Sequence, residues 1–412
     1  MAVRQRTRNP LSRLFRVLWR KARTLKLLGF PPTYDPFTAE SANSAQVAYF
    51  FADSPSRIYQ IAQWLPVIEK SPADLKAVII TRSMATTEEL KKLTNVQVIH
   101  AQTFDLLMSL LELSKFKAII YVNNSYQNFQ ALSYQSAVHI HVNHGESDKI
   151  SMVSNQAKAY DRVFVAGLAA KDRYLKAVAW IDANKLITVG RPQLDLGQKP
   201  LPAHPKLKTI TYAPTWEGED EANNYTSLDL YGKKIIDAAL TQNNCRTIYK
   251  PHPRILTSKD PKVVATHKYI LSKLNKAPHQ ILLEGDVIEV LLGTDVLISD
   301  ISSVTLDYLY LKPSGAIFLS DRRTDLASLE AESPVASAAT IIDLNSVDNL
   351  SAQLEKTLQK DELAAKRAEV CRYYFGGIAA GESSKTYFSA ISKSISDHEV
   401  ALNELTRTRR SI

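Results

Sequence analysis

Lys250-Pro251-His252-Pro253-Arg254 sets an imidazole between two prolines and flanks it with two cations. Proline fixes φ on both sides of His252, so the loop holds its side chains in place. Three potential cations at one rigid corner suit a diphosphate, whose oxygens a guanidinium can bind through paired hydrogen bonds. A second corner follows in Ser299-Asp300-Ile301-Ser302-Ser303, where an apolar run breaks into an acid and two serines. Asp300, Ser302 or Ser303 can cap a helix that begins here. The free amides of a helix N-terminus, with serine hydroxyls beside them, form an anion site. Asp300 beside an anion needs a cation partner or a ligand hydroxyl. Asp286 and Glu289, in EGDVIEVL, either bind a ligand hydroxyl or complement a helix dipole.

Two further corners carry chemistry. VHIHVN ends in His144-Gly145. Histidine titrates near neutrality and can take a proton from a hydroxyl, and glycine permits close backbone approach to a ligand. His139 and His141 lie inside the same run and read as structural. The stretch TYAPTWEGE places Trp216 and Glu217 in a proline-stiffened loop, where Trp216 either stacks on a ring or plugs a domain interface. No metal-ligand spacing, no Walker loop and no GxGxxG occur, so phosphate recognition falls to helix termini and cations, with neither metal nor cofactor.

Each corner terminates a short strand-like run, and that placement predicts the architecture. QVAYFFA, KAVIIT, VQVIH, KAIIYVN, VHIHVN, RVFVAG and LITVG form a first series, interleaved with amphipathic stretches such as 56–70 and 103–115. KTITYAP, RTIYKPHP, HQILLEG, DVLISD, SGAIFLS and ATIIDL form a second. This βαβ rhythm predicts two mostly parallel sheets with helices on both faces. The Pro-rich stretch 198–207 divides them. The expected domains are therefore 35–197 and 198–375, two Rossmann-like halves facing across a cleft, followed by a helical tail over 376–412. Ligands of open α/β sheets bind beyond the carboxyl ends of the strands, where all four corners fall.

The charge distribution isolates the remaining segment. The chain carries 51 basic and 42 acidic residues; nine of the basic ones lie in residues 1–34, before the first acid, so 42 of each sign remain beyond them. A body of balanced charge argues against nucleic-acid binding. Within the basic segment, Leu11, Leu14, Phe15, Leu18, Ala22 and Leu25 recur at helical spacing, with Arg13, Arg16, Arg20 and Lys21 between them and Trp19 on the flank. The pattern predicts a basic amphipathic helix lying on an anionic membrane surface, to which each cation contributes on the order of 1 kcal/mol. Two cysteines and no membrane-spanning apolar run predict a reducing compartment, and hence a peripheral protein on the cytoplasmic face of the membrane.

Taken together, NHG, VGRPQLD, YAPTW, YKPHPR, DVLISDISSVTLDYLYLKPSGAIF and the glycine-containing YYFGGIAAGESSK resemble the CDP-glycerol glycerophosphotransferase family of teichoic acid primases and polymerases. The resemblance runs from about residue 138 to 390. It implies a GT-B fold, a CDP-linked polyol phosphate donor and a lipid-linked acceptor. The family's two functional histidines fall on His144 and His252, and its donor-phosphate serines on Ser302 and Ser303. Lys250 and Arg254 would then neutralise the diphosphate, with Trp216, Asp286 and Asp300 as further donor-site candidates. Where the family commonly has His-Gly-Thr-Pro and a basic residue, this chain reads HGESDK. Two rivals share the architecture: a GT-B glycosyltransferase using a nucleotide sugar, and a non-catalytic nucleotide-binding relative.

Overall fold

The computed structural model describes residues 44–149, 152–195, 201, 204–218 and 221–410. The basic amphipathic segment, with Arg13, Phe15, Arg16, Leu18, Trp19, Arg20 and Lys21, lies outside the described residues.

Seven strands form the first sheet: β1 (Val47–Phe51), β2 (Ala77–Thr81), β3 (Val98–His100), β4 (Ala118–Tyr121), β5 (Val138–His141), β6 (Arg162–Val165) and β7 (Leu186–Thr188). Their order is β3-β2-β1-β4-β5-β6-β7, every pair parallel. Six more form the second: β8 (Lys208–Ala213), β9 (Cys245–Tyr249), β10 (Gln280–Ile281), β11 (Val296–Ser299), β12 (Ala316–Ser320) and β13 (Thr340–Ile342). This sheet is also parallel, in the order β10-β9-β8-β11-β12-β13. Parallel sheets are covered on both faces, which is why these strands read as unbroken apolar runs. Residues of β1, β2, β4 and β5 are buried along their whole length. The fold is thus α/β, built of two parallel sheets with helices.

Helices complete both halves. Leu107, Leu110 and Leu111 cover one face of the first sheet, whose other face packs against Ile61, Trp64 and Ile68. Ile235, Ile236, Ile270 and Leu354 cover one face of the second sheet, and Leu291, Leu306 and Leu309 the other. At roughly 25 cal/mol per Å² of apolar surface removed from water, these layers supply most of the favourable free energy of each half.

The end of the chain crosses between the halves. The helix Ala364–Phe375 packs with the second sheet's cluster through Val370 and Tyr374. Gly376 and Gly377 then turn the backbone at φ 67° and 72°, a conformation that glycine adopts without steric cost. A Cβ at Gly376 would lie 2.7 Å from the methyl of Thr188. Beyond this turn the helix Ser383–Arg410 buries Tyr387, Ile391 and Ile395 against the first sheet, with Tyr387 Oη 2.8 Å from Tyr49 Oη.

Candidate active site

The carboxyl ends of both sheets open onto one cavity of about 710 Å³. His144 enters it from beyond β5 and Arg191 from beyond β7. Trp216 follows β8, Lys250 and His252 follow β9, Asp286 lies beyond β10, and Ser302 and Ser303 stand beyond β11. Parallel strands share one direction, so their following loops gather at one edge, and two such edges facing each other make the cleft.

Gln193 Nε2 donates to the carbonyl of His144 at 3.4 Å, which braces the histidine from the turn after β7. Tyr59 meets the His144 ring edge to face at 5.9 Å. Burial, and secondarily the charge of Arg191, push the imidazole's pKa down to about 4, so the ring is neutral and able to accept a proton at physiological pH. His252 is likewise pushed down to about 4, first by burial and then by Arg254 and Lys149. Its Nδ1 accepts the backbone N–H of Arg254 at 3.2 Å. In the neutral ring this leaves the proton on Nε2, so His252 donates without carrying a charge.

The corner expected to present three cations is therefore differently built. Lys250 lines the cavity and spends one donor on the carbonyl of Glu284 at 3.0 Å, tying down the loop after β10. An ammonium has three donors, so two remain. The side chain of Arg254 does not line the cavity. Its guanidinium lies over the Trp216 indole, 4.2 Å from the ring centroid, and the His252 ring stacks on the same indole at 6.3 Å. Arg254 thus holds Trp216, and Trp216 and His252 are the groups that face the cavity.

Asp300, expected beside the ligand, does not line the cavity. The residue is fully buried, and its carboxylate accepts from the backbone N–H of Thr215 at 2.7 Å, from Ser227 N–H at 3.2 Å and from the hydroxyl of Ser320. β8 and β11 are neighbours from which the chain runs to opposite sides of the sheet, and Asp300 knits the loops at that switch point. Burial lifts its pKa to about 6 against these donors. Asp286 does line the cavity, and it caps the short helix Val287–Leu292 through Ile288 N–H at 3.0 Å. Ser302 occupies the N-cap of the helix Ser303–Leu311, but its hydroxyl makes no capping bond; Oγ is buried and without a partner among the described residues. A buried hydroxyl left unmade is costly unless a ligand satisfies it.

Three contributors escaped the sequence reading. Arg191 and Asp307 form a buried ion pair across the cleft, Nη2 to Oδ1 2.8 Å, while Nε and Nη1 of Arg191 have no partner among the described residues. Burial raises Asp307 to about 6, although Arg191 opposes the shift. Lys149 reaches the cavity from the first half. All three stand in motifs quoted for other residues, at strand ends or one turn into a helix.

The unusual HGESD loop is explained by its partners. Arg173 binds Glu146 through Nη2 and Asp148 through Nη1, the latter at 2.7 Å. Asp148 also accepts from Ser333 Oγ at 2.7 Å and Tyr374 Oη at 2.6 Å, both in the second half. The acids clamp the loop that carries His144.

The pH dependence follows from these shifts. A depressed pKa keeps His144 in its base form as pH falls, so the acid limb of kcat/KM should lie below pH 5, whereas an unperturbed histidine would lose half its base form near 6.5. Asp307 titrates near 6, so the profile is compared with that of Asp307→Asn. A limb near 6.5 that persists in the variant contradicts a buried neutral base.

A family model described as CDP-Glycerol:Poly(glycerophosphate) glycerophosphotransferase matches residues 50–385. No curated protein matches by sequence. Among solved structures, a putative UDP-N-acetylglucosamine 2-epimerase from Listeria monocytogenes is similar at TM-score 0.59 and 14% identity, over 85% of this chain and 96% of that one. The wall teichoic acid polymerase TagF is similar at TM-score 0.55 and 14% identity, over 94% and 97%. A glycosyltransferase from Rickettsia africae is similar at TM-score 0.53 and 11% identity, over 86% and 99%. At these identities the likeness shows the GT-B fold.

Proposed function

The chain belongs to the CDP-glycerol:poly(glycerophosphate) glycerophosphotransferase family, and from that membership we propose that it moves glycerol phosphate from CDP-glycerol to a hydroxyl of a lipid-linked surface-polymer acceptor. The observation that carries this reading is the cavity itself: two histidines from opposite halves line it together with a helix N-terminus and a buried, unpartnered serine hydroxyl. His144 takes the proton of the acceptor hydroxyl as its oxygen attacks the β-phosphorus. The new P–O bond forms, the bond to the bridging oxygen breaks, and CMP leaves with the electron pair. Lys250, the Nε2–H of His252, Ser302, Ser303 and the first amides of the Ser303–Leu311 helix receive the phosphate oxygens. Lys250 and His252 are held before the ligand arrives, by the Glu284 carbonyl and the Arg254 N–H, and such preorganised electrostatics carry most of the catalysis in phosphoryl transfer. Trp216 offers an aromatic face to the donor, and Asp286 an acceptor for a ligand hydroxyl.

The test is a donor panel. Incubated with CDP-glycerol, other CDP-polyols and UDP-sugars, the protein should release CMP from a CDP-polyol. Release of UDP from a UDP-sugar, with none of CMP, would replace this reading by a sugar transfer, the chemistry that the cleft also suits.

The membrane enters through the basic segment. No helix among the described residues is long and apolar enough to cross a membrane. Attachment is assigned to residues 1–34, whose nine cations meet anionic lipid while Phe15, Leu18 and Trp19 enter the interface. Removing these residues should abolish sedimentation with anionic vesicles, and added salt should weaken binding of the full chain. Undiminished vesicle binding by the truncated protein contradicts the assignment.

A further inference from the structure

Lys149 belongs to the first half, five residues after His144, yet its ammonium lies in the second. Its Nζ stands 5.1 Å from the centroid of the Tyr225 ring, and its charge depresses the proton affinity of His252. The side chain lines the cavity. Among the described residues it has no carboxylate partner within salt-bridge distance; partial burial lowers its own pKa, and the more distant charge of Asp300 opposes that shift. A partly buried cation whose facing carboxylate stays beyond ion-pair distance is stabilised further when an anion joins it. The neighbouring surface is a phosphate cradle: His252 with its Nε2–H, Lys250, and the hydroxyl of Ser302.

The backbone that carries Lys149 is not free to wander. Arg173 clamps Glu146 and Asp148 from the first half, and Ser333 and Tyr374 hold Asp148 from the second. His144 and Lys149 therefore sit at the two ends of one pinned loop.

We propose that Lys149 is a ligand of the donor's β-phosphate, so that donor binding and the placement of His144 are a single event. The proposal rests on the donor reading given above. An ammonium contributed by the base-bearing loop brings the attacking side of the site to the phosphorus under attack, while the second half holds the remainder of the diphosphate. Substrate binding across the cleft then orients the base.

The experiment is calorimetric titration of the full chain and of Lys149→Ala and Lys149→Arg with CDP-glycerol, CMP and inorganic pyrophosphate. Lys149→Ala should weaken CDP-glycerol and pyrophosphate by about 10- to 100-fold, the size of one lost charge-assisted contact, and change CMP by less than about threefold. Lys149→Arg should recover most of the loss, and thermal unfolding should be unchanged in both. Unchanged CDP-glycerol affinity in Lys149→Ala overturns the proposal, as does an equal loss for CMP. If the wild-type protein binds pyrophosphate but not CDP-glycerol, the donor reading fails and the pyrophosphate arm alone decides Lys149. If it binds neither, both fall.

Discussion

Replacing His144 by alanine should lower turnover about 10²- to 10⁴-fold, the usual contribution of a general base. The affinity for CDP-glycerol should stay within about threefold, because the base acts on the acceptor hydroxyl and contributes in the transition state. His252→Ala supplies the contrast. Its Nε2–H meets phosphate in both ground and transition states, so donor affinity and turnover should fall together. The imidazole of His144 is half-buried at the cavity wall, neutral and braced through its carbonyl by Gln193. That of His252 is oriented through Nδ1 by the N–H of Arg254. Donor titration beside a CMP-release assay reads both patterns. Loss of donor binding in His144→Ala with retention in His252→Ala reverses the roles.

The second large effect lies away from the ligand. Arg173→Met should destabilise the protein by about 3–5 kcal/mol, because it strands two buried carboxylates. Glu146 and Asp148 are both almost entirely enclosed, and among the described residues only Asp148 keeps other partners, Ser333 and Tyr374. Burial already raises Asp148 to about 6, so without the guanidinium it should take up a proton. The triple variant Arg173→Met, Glu146→Gln, Asp148→Asn removes the stranded charges and should recover most of the stability, while an uncorrected clamp should also impair turnover through the His144 loop. Urea unfolding of wild type, the single variant and the triple variant decides it. A single Arg173→Met variant as stable as wild type would show that the clamp contributes little.

The strands were legible because parallel strands covered on both faces need continuous apolar runs, and all thirteen of the described strands lie within or overlap those runs. Element existence was easier to read than identity of role. Asp300 carries the right chemistry at the right strand end, yet its carboxylate is consumed by backbone N–H groups of Thr215 and Ser227. Arg254 is a cation beside a phosphate-like corner, yet it spends itself on Trp216. Neither outcome follows from spacing, because each depends on which loop of the sheet comes to lie next to it. The same limit hid Arg191, Asp307 and Lys149. Their significance arises across the cleft, from how the two halves face one another, and a linear motif holds no record of that. The HGESD acids stood out as a departure from the family pattern with no visible partner, because the arginine that neutralises them lies 27 residues from Glu146 in sequence.

The most direct measurement follows both products of one turnover. With glycerol-labelled CDP-glycerol and a lipid-linked acceptor bearing a free hydroxyl, the wild-type protein should release CMP and extend the acceptor by glycerol phosphate in equal amounts, and His144→Ala should do neither at a comparable rate. CMP released without label in the acceptor, or label transferred equally well by His144→Ala, would contradict transfer at this site.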